Sequence, residues 1–499
     1  MRFIDVEGKL IPESLAKEYS GEAKPISRID HIVPLPLNPQ FSVSTKLLSF
    51  LEGRHLLLDE LPFPLDVIHT HYEHGYISYE KGIVQTEQGW RCRRCGNENT
   101  HLFASFFCAR CETICTYCRR CIMMGRVSEC TPLLVSHFYS EPAMYEKPLA
   151  WNGELSLGQQ QAAEAVVAAV EKNLELLIWA VCGAGKTEVL FPGISRALEL
   201  GKRVCIATPR TDVVLELAPR LKQAFPAVPV IALYGGSDER GTLSPLVVAT
   251  THQLLRFYRT FDVTVIDEVD AFPYSVEPML QYAVEKARKE TSALIYVTAT
   301  PHKAWQQEIK LGKRQAVTIP ARYHGFPLPV PSFEWCGNWR KAVKRGLFPR
   351  NVSAWIERRL QEGKQAFLFV PHVELLERVV VILKQLDNRI EGVHAEDRER
   401  KEKVHAFRKG NIPILVTTTI LERGVTVPNI DVAVLGAEDD IFTEGALVQI
   451  AGRVGRSAQY PSGDIRFFHY GKTKEMLKAK RQIIRMNKEA EERGMLKRG

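Results

Sequence analysis

Nowhere in the 499 residues does an apolar run approach the ~20 residues a helix needs to cross a bilayer, which argues against a helical membrane span. The opening stretch MRFIDVEGKLIPESLAKEY lacks an apolar core after its first charges, so no secretory signal is expected. Low-complexity tracts are absent, and there is no internal repeat beyond two α/β halves. Net charge is small: 66 Lys+Arg against 58 Asp+Glu leave +8, a surplus that suits a polyanionic partner without requiring one. With 45% apolar and 25% charged residues the chain is ordinary globular protein, and at roughly 150 residues per domain it has room for about three. A cytoplasmic protein is expected, docked at most peripherally on the inner face of the cell membrane.

Cysteine is distributed unevenly. Eight of the eleven fall between Cys92 and Cys130, while Cys182, Cys205 and Cys336 are scattered. In a reducing compartment such a cluster points to metal rather than disulfides. Cys92-x-x-Cys95 and Cys118-x-x-Cys121 each form a knuckle, and two knuckles complete the four sulfurs of a closed, structural Zn²⁺ site. The spacing leaves the pairing open. Cys108, Cys111, Cys115 and Cys130 could hold a second ion, or Cys108 and Cys111 could replace the later knuckle in the first. Arg91, Arg93, Arg94, Arg110, Arg119, Arg120 and Arg126 interleave with Trp90, Phe106, Phe107 and Tyr117, a mixture that suits single-stranded nucleic acid and equally suits a solvated metal module. Upstream, residues 1 to about 45 are Pro-rich and read as irregular. His69, His71 and His74 read as polar neighbours of Tyr72, Tyr76 and Tyr79, not as ligands.

From Trp151 the pattern turns to regular α/β alternation. LELLIWAVCGAGKTEVLF (174–191) is an apolar strand, a loop with Gly183, Ala184 and Gly185, and a helix opening at Lys186-Thr187. Glycines admit backbone N–H groups to phosphate oxygens, Lys186 reaches the β/γ-phosphates of ATP, and the Thr187 hydroxyl ligates Mg²⁺. Ala180 stands where the strict pattern has its first Gly. Gln159, upstream in LSLGQ, is placed to bond an adenine edge. VTVIDEVDAF delivers Asp267 and Glu268 from a buried strand, Asp267 for the Mg²⁺ shell and Glu268 to orient or deprotonate the attacking water. LIYVTATP ends in Thr298 and Thr300, hydroxyls positioned to couple those carboxylates to the rest of the motor. Thr208 and Arg210 (TPR), Thr250 and Thr251, and Thr419 lie at strand ends, where ligands of parallel sheets bind, and are read as contacts to DNA phosphates.

A second α/β half begins near Ala321, after the Pro-rich segments FPLPVPSF and GLFPRN. It carries ILVTTTILERGVTV, with Thr418, Thr419, Arg423 and Gly424, and LVQIAGRVGR. The latter places Gln449, Arg453 and Arg456 on one helix face at i, i+4 and i+7, two arginines able to reach a γ-phosphate. The basic tail from Lys472 reads as a solvated helix. The expected organisation is an N-terminal partly irregular and helical region (1–85), a Cys-rich zinc module (86–135), an ATP-binding RecA-like lobe (136–320), a second RecA-like lobe (321–475) and a C-terminal helix (476–499).

The ordered series L-S-x-G-Q, A-x-x-G-x-G-K-T, T-P-R, D-E-V-D, T-A-T, TTTILERGV and QIAGRVGR resembles a superfamily 2 DEAD-box-like helicase over residues 151 to 470. IWAVCGAGKTE, CIATPRTDVVLELAPRL, ALYGGSD, VIDEVDAFPY, WCGNW and TTTILERGVTVP, with CRRCG and YCRRCIMMGRV in front, resemble the ComFA competence helicases. The resemblance implies Cys92, Cys95, Cys118 and Cys121 as zinc ligands. It also implies an ATP-driven motor on single-stranded DNA during natural competence. Its implied partners are a ComEC-like membrane channel, a ComFC-like phosphoribosyltransferase-type protein and the recombination mediator DprA. Three rival readings stand beside it: a PriA-like replication-restart helicase, an RNA helicase of the same superfamily, and a non-enzymatic zinc-bearing DNA-binding adaptor.

Overall fold

The computed structural model describes residues 1–17, 21–239, 241, 243–419 and 427–497, so Arg423 and Gly424 lie outside the described residues. The chain divides into two compact units: 1–151 with 167–175 and 191–296, and 152–166 with 176–190 and 297–499.

The first unit begins with order where the sequence suggested irregularity. Arg2–Val6 pairs antiparallel with Lys9–Pro12 and with Lys24–Pro25. The first hairpin turns at Glu7 and Gly8, both at positive φ (55° and 85°). Phe3, Leu10 and Ile26 are fully buried against Leu47, Leu48 and Leu51 of the helix Thr45–Leu51 and against Ile68 and Tyr72 of the helix Leu65–Glu73. Prolines punctuate this region without unfolding it, because alternate apolar residues still meet a core. The next sheet places Pro132–Ser136 between His55–Leu57 and Ile77–Lys81, so the cysteine segment is an excursion that leaves this sheet and returns to it. His69 stacks near Tyr72 and Tyr79, and His71 accepts the Ser44 N–H and contacts the Val67 carbonyl, which matches their reading as non-ligands.

The same unit holds a run of strands ordered Val230–Leu233, Leu246–Thr250, Val204–Thr208, Phe261–Asp267 and Arg288–Thr298. The first four are parallel; the first three are apolar but for a terminal Thr in two of them, as strands covered by helices on both faces must be, and Phe261–Asp267 sets Asp262, Thr264 and Asp267 among apolar residues. In the second unit, Glu175–Ala180 pairs parallel with Ala316–Ile319. A six-stranded sheet there runs Ser332–Trp335, Ile465–His469, Asp431–Leu435, Ala366–Phe369, Ile414–Thr417, Glu391–Val393, parallel throughout. Ala366, Leu368, Val416, Ala433 and Leu435 are fully buried beneath Trp339, Ile356 and Val379. Parallel sheets flanked by helices form two RecA-like lobes, as expected. The tail departs from expectation: the helix Lys474–Glu492 buries Met476, Ala479, Gln482, Ile483, Met486 and Ala490, so only its other face is solvated. No helix among the described residues is long and apolar enough to cross a membrane.

A buried ion pair ties the N-terminal region to the parallel run. Glu52 accepts from Arg203, and from the backbone N–H and hydroxyl of Ser140 at 2.9 Å each. Glu52 and Arg203 are 3% and 7% exposed. Removing one charge leaves the other desolvated and alone, which costs about 3–5 kcal/mol. Glu52→Gln is therefore expected to lower unfolding free energy by about that much in urea titrations; a change under about 0.5 kcal/mol, the scale of ordinary surface substitutions, would rule the clasp out.

Candidate nucleotide site and metal centre

The phosphate loop takes shape from its sequence. The strand Glu175–Ala180 ends, Gly183 and Gly185 adopt φ of 82° and 73°, and the helix Lys186–Glu199 begins. Those left-handed angles are open to glycine at no steric cost. Lys186 and Thr187 are half-buried at the helix start, where unsatisfied N–H groups and the helix dipole favour an anion. Gln159, 4% exposed, braces the loop: its side chain accepts from Ser156 N (2.8 Å) and donates to the Gly185 carbonyl (3.3 Å).

The LVQIAGRVGR segment lies against this loop within the same unit. Cys182 Sγ donates to Gln449 Oε1 at 3.0 Å. The helix Glu444–Ala451 stops before the arginines, so Gln449, Arg453 and Arg456 do not share one helix face as the spacing suggested. Gly452 caps the helix and Gly455, at φ 72°, prevents its continuation. Arg453 is 1% exposed, and the half-buried Arg456 donates to the Gly452 carbonyl at 2.9 Å. A Cβ on Gly452 would overlap Cys182, whereas one on Gly445 would meet Thr300 at an ordinary 3.5 Å.

Two participants carried no motif signal. Arg322, 1% exposed, donates to the Gly455 carbonyl, and its Nε and Nη2 find no partner among the described residues. Burial pushes its guanidinium down to about 10, with the Arg456 charge adding to the shift. The next residue, Tyr323, donates its N–H to the Gly183 carbonyl at 3.2 Å. The other participant is the helix Lys474–Glu492: Gln482 donates to the Ala299 carbonyl, which also accepts from Trp179 Nε1, both at 3.0 Å. Thr298 and Thr300 are 0% and 8% exposed in that turn, and Thr298 Oγ1 accepts the Thr300 N–H at 2.9 Å.

In the first unit, Val263, Thr264, Val265 and Ile266 are at most 2% exposed and deliver half-buried Asp267 and Glu268 at the strand end. Glu268 has φ 59° and donates its N–H to Asp267 Oδ1 at 3.0 Å. A non-glycine residue held there stores on the order of 1–3 kcal/mol, which is characteristic of functional sites. Of the residues expected at DNA, Thr208, Thr250 and Thr251 are 0%, 6% and 0% exposed, while Arg210 and Thr419 are half-buried. Thr208 and Thr250 are the last residues of their strands, and Thr251 opens the 3-10 helix Thr251–Arg256.

The cysteines form two groups of four, each with its sulfurs mutually within 4.8 Å. The first joins Cys92, Cys95, Cys118 and Cys121, with Cys95 Sγ to Cys118 Sγ at 3.6 Å and Cys92 Sγ to Cys121 Sγ at 3.9 Å. A ZnS₄ tetrahedron with ~2.3 Å bonds has edges of about 3.8 Å. Asn97 Nδ2 donates to the Cys118 sulfur at 3.6 Å. The arginines of this region are largely committed to carboxylates: Arg91 to Glu98, Arg93 to Glu80, Arg94 to Glu60, Arg110 to Asp59 and Arg120 to Glu277. Arg126 lies over the Phe106 ring at 4.5 Å. Most therefore hold the module together or onto the first unit.

Together, this fold and these motifs define a superfamily 2 helicase-type ATPase. Residues 157–309 match the DEAD/DEAH box helicase model and 350–458 the helicase conserved C-terminal domain. Residues 40–135 match the competence protein ComFA N-terminal domain. Competence protein ComFA of Bacillus subtilis (strain 168) is 52% identical over 91% of this chain and 97% of its own length. That of Streptococcus pneumoniae (strain ATCC BAA-255 / R6) is 39% identical over 77% and 91%. The chain belongs to the ComFA family. S. cerevisiae Dbp5 bound to RNA and ADP BeF3 shares the fold, at a TM-score of 0.50 and 15% identity over 67% of this chain and 88% of that one.

Gly452→Ala is expected to push Cys182 and Gln449 apart, costing about 1–3 kcal/mol of local packing, and to cut ATP turnover. Gly445→Ala should leave turnover near wild type. Equal turnover in both variants would show that the close approach is dispensable.

Proposed function

We propose that this chain is an ATP-driven translocase on single-stranded DNA that draws transforming DNA across the cytoplasmic membrane during natural competence. The observation that carries this reading is the 449–456 segment lying against the glycine loop within one compact unit. Lys186 and the loop N–H groups would hold the β/γ-phosphates, and Gln159, Gly183, Ala184 and Gly185 would shape the pocket and reach the adenine edge. Thr187 and Asp267 would hold Mg²⁺; both offer the oxygen donors that ion prefers, and when bound it neutralises charge on the phosphate oxygens. Glu268 would orient or deprotonate the attacking water, and Arg453 and Arg456 would stabilise charge leaving the γ-phosphate. Thr298 and Thr300 would couple that state to the helices packed on them. DNA would run along the strand ends, with Arg210 and Thr419 at its phosphates and Thr208, Thr250 and Thr251 supporting those ends from within.

The domain plan of N-terminal region, zinc module, two lobes and C-terminal helix belongs to the same proposal. Cys92, Cys95, Cys118 and Cys121 would hold a structural Zn²⁺, since their edge distances fit the ion and a closed sphere leaves no place for substrate. ComFA membership supports a station at the inner membrane face beside a ComEC-like channel, a ComFC-like protein and DprA.

Purified protein should hydrolyse ATP faster with single-stranded DNA than with RNA of the same length. Lys186→Ala should abolish turnover and transformation with the fold intact, and Glu268→Gln should lower kcat by about 10²–10⁴. Unchanged turnover in Lys186→Ala rejects the ATP-site assignment, and stronger stimulation by RNA rejects the DNA assignment.

A further inference from the structure

The second cysteine group is built as deliberately as the first. Cys108 ends the strand Phe103–Cys108, Cys111 lies in the turn, Cys115 is on the strand Thr113–Cys118 and Cys130 comes from the segment before Pro132–Ser136. The hairpin register sets Cys115 opposite Phe106 and Cys118 opposite Phe103. Residues three apart on a strand point to opposite faces. Cys115-x-x-Cys118 is therefore not a knuckle: the strand sends Cys115 to one cluster and Cys118 to the other. That alternation sorts eight interleaved cysteines into two sets of four without sharing a sulfur.

The four are 2%, 1%, 0% and 3% exposed, and Cys108 Sγ lies 3.7 Å from Cys130 Sγ, again the edge of a ZnS₄ tetrahedron. The Thr113 hydroxyl donates to the Cys111 sulfur at 3.7 Å and the Ser128 hydroxyl lies 3.6 Å from the Cys130 sulfur, positions that outer partners take around metal ligands. The four cysteines, with Phe106 packed on them, are the whole apolar cluster at a hairpin end that otherwise exposes Phe107 (72%) and Ile114 (66%), and so small a core needs a metal to hold it.

We propose that Cys108, Cys111, Cys115 and Cys130 bind a second structural Zn²⁺, so that the module carries two closed ZnS₄ centres. The second centre fixes the far end of the hairpin and, through Glu129 beside Cys130, the N-terminal sheet. Glu129 accepts from Thr116 N (2.6 Å) and Arg28 (3.1 Å), its carbonyl accepts from Ser27 N (3.1 Å), and Arg28 also donates to the Ile114 carbonyl (2.8 Å).

Native mass spectrometry of the full chain, expressed with zinc in the medium, counts the ions directly. The expected result is two zinc per wild-type chain, and one in each of Cys108→Ser/Cys111→Ser and Cys92→Ser/Cys95→Ser. Zinc-edge X-ray absorption of wild type should give four sulfurs per ion, a readout that does not depend on either variant folding. A wild-type count of one zinc, iron at the second position, or a chain mass short by the hydrogens of a disulfide each overturns the proposal.

Discussion

The close approach of Gly452 to Cys182 is the contact that sets the 449–456 segment against the glycine loop. Gly452 has an ordinary helical φ of −63°, so its lack of a side chain answers a need for space, not for backbone freedom. Gly183, Gly185 and Gly455 answer the other need, at φ between 72° and 82°. Around these glycines Cys182 bonds Gln449, Arg322 donates to the Gly455 carbonyl and the Tyr323 N–H donates to the Gly183 carbonyl. An interior at native packing density transmits a shift of this size instead of absorbing it.

The cysteine module is rigidly tied within the first unit. Tyr282 and Lys286 of the helix Pro278–Ala287 donate to the carbonyls of Arg93 and Arg94 at 3.1 and 3.0 Å, and Gly96, at φ 68°, lets the Tyr282 ring close over the knuckle. Lys286 is 8% exposed, and burial pushes its ammonium down to about 7, the Arg94 charge acting in the same direction. Glu60 joins Arg94 and Arg256 at 3.0 and 2.7 Å. Whatever the module contacts is thereby connected to the helix that follows the Asp267–Glu268 turn.

Sequence legibility followed the range of the interaction. The apolar strands, the glycine loop and the paired cysteines are local patterns, and each has a physical reason to recur at fixed spacing. The pairing of eight cysteines was not readable, because spacing alone cannot tell a knuckle from two residues on opposite faces of a strand. The end of the helix Glu444–Ala451 was misjudged because periodicity of Gln449, Arg453 and Arg456 outweighed the two glycines between them. Charge misled in a similar way. The module's arginines and the basic tail look solvent-facing in one dimension, yet Glu60, Glu80 and Glu277 reach the arginines from elsewhere in the fold, and the tail helix buries its own face of Met476 and Ile483. Arg322 and the Glu52–Arg203 pair had no local signature at all.

The turn at Asp267–Glu268 shows why the D-E pair needs more than two acids in a row. On an extended strand, neighbouring side chains are sent to opposite faces, so a regular strand would separate the two carboxylates. The backbone leaves the strand at this point: Glu268 takes a left-handed φ of 59°, its N–H bonds back to Asp267 Oδ1, and its carbonyl accepts from Ala271 N at 2.8 Å. Alternation ends at Asp267, and Glu268 is released from the opposite face. The strain of that conformation is offset by the apolar burial of Val263, Val265 and Ile266, each worth about 1.5–3 kcal/mol. A strand that stable can hold its last residue in an unfavourable angle, and an isolated turn could not.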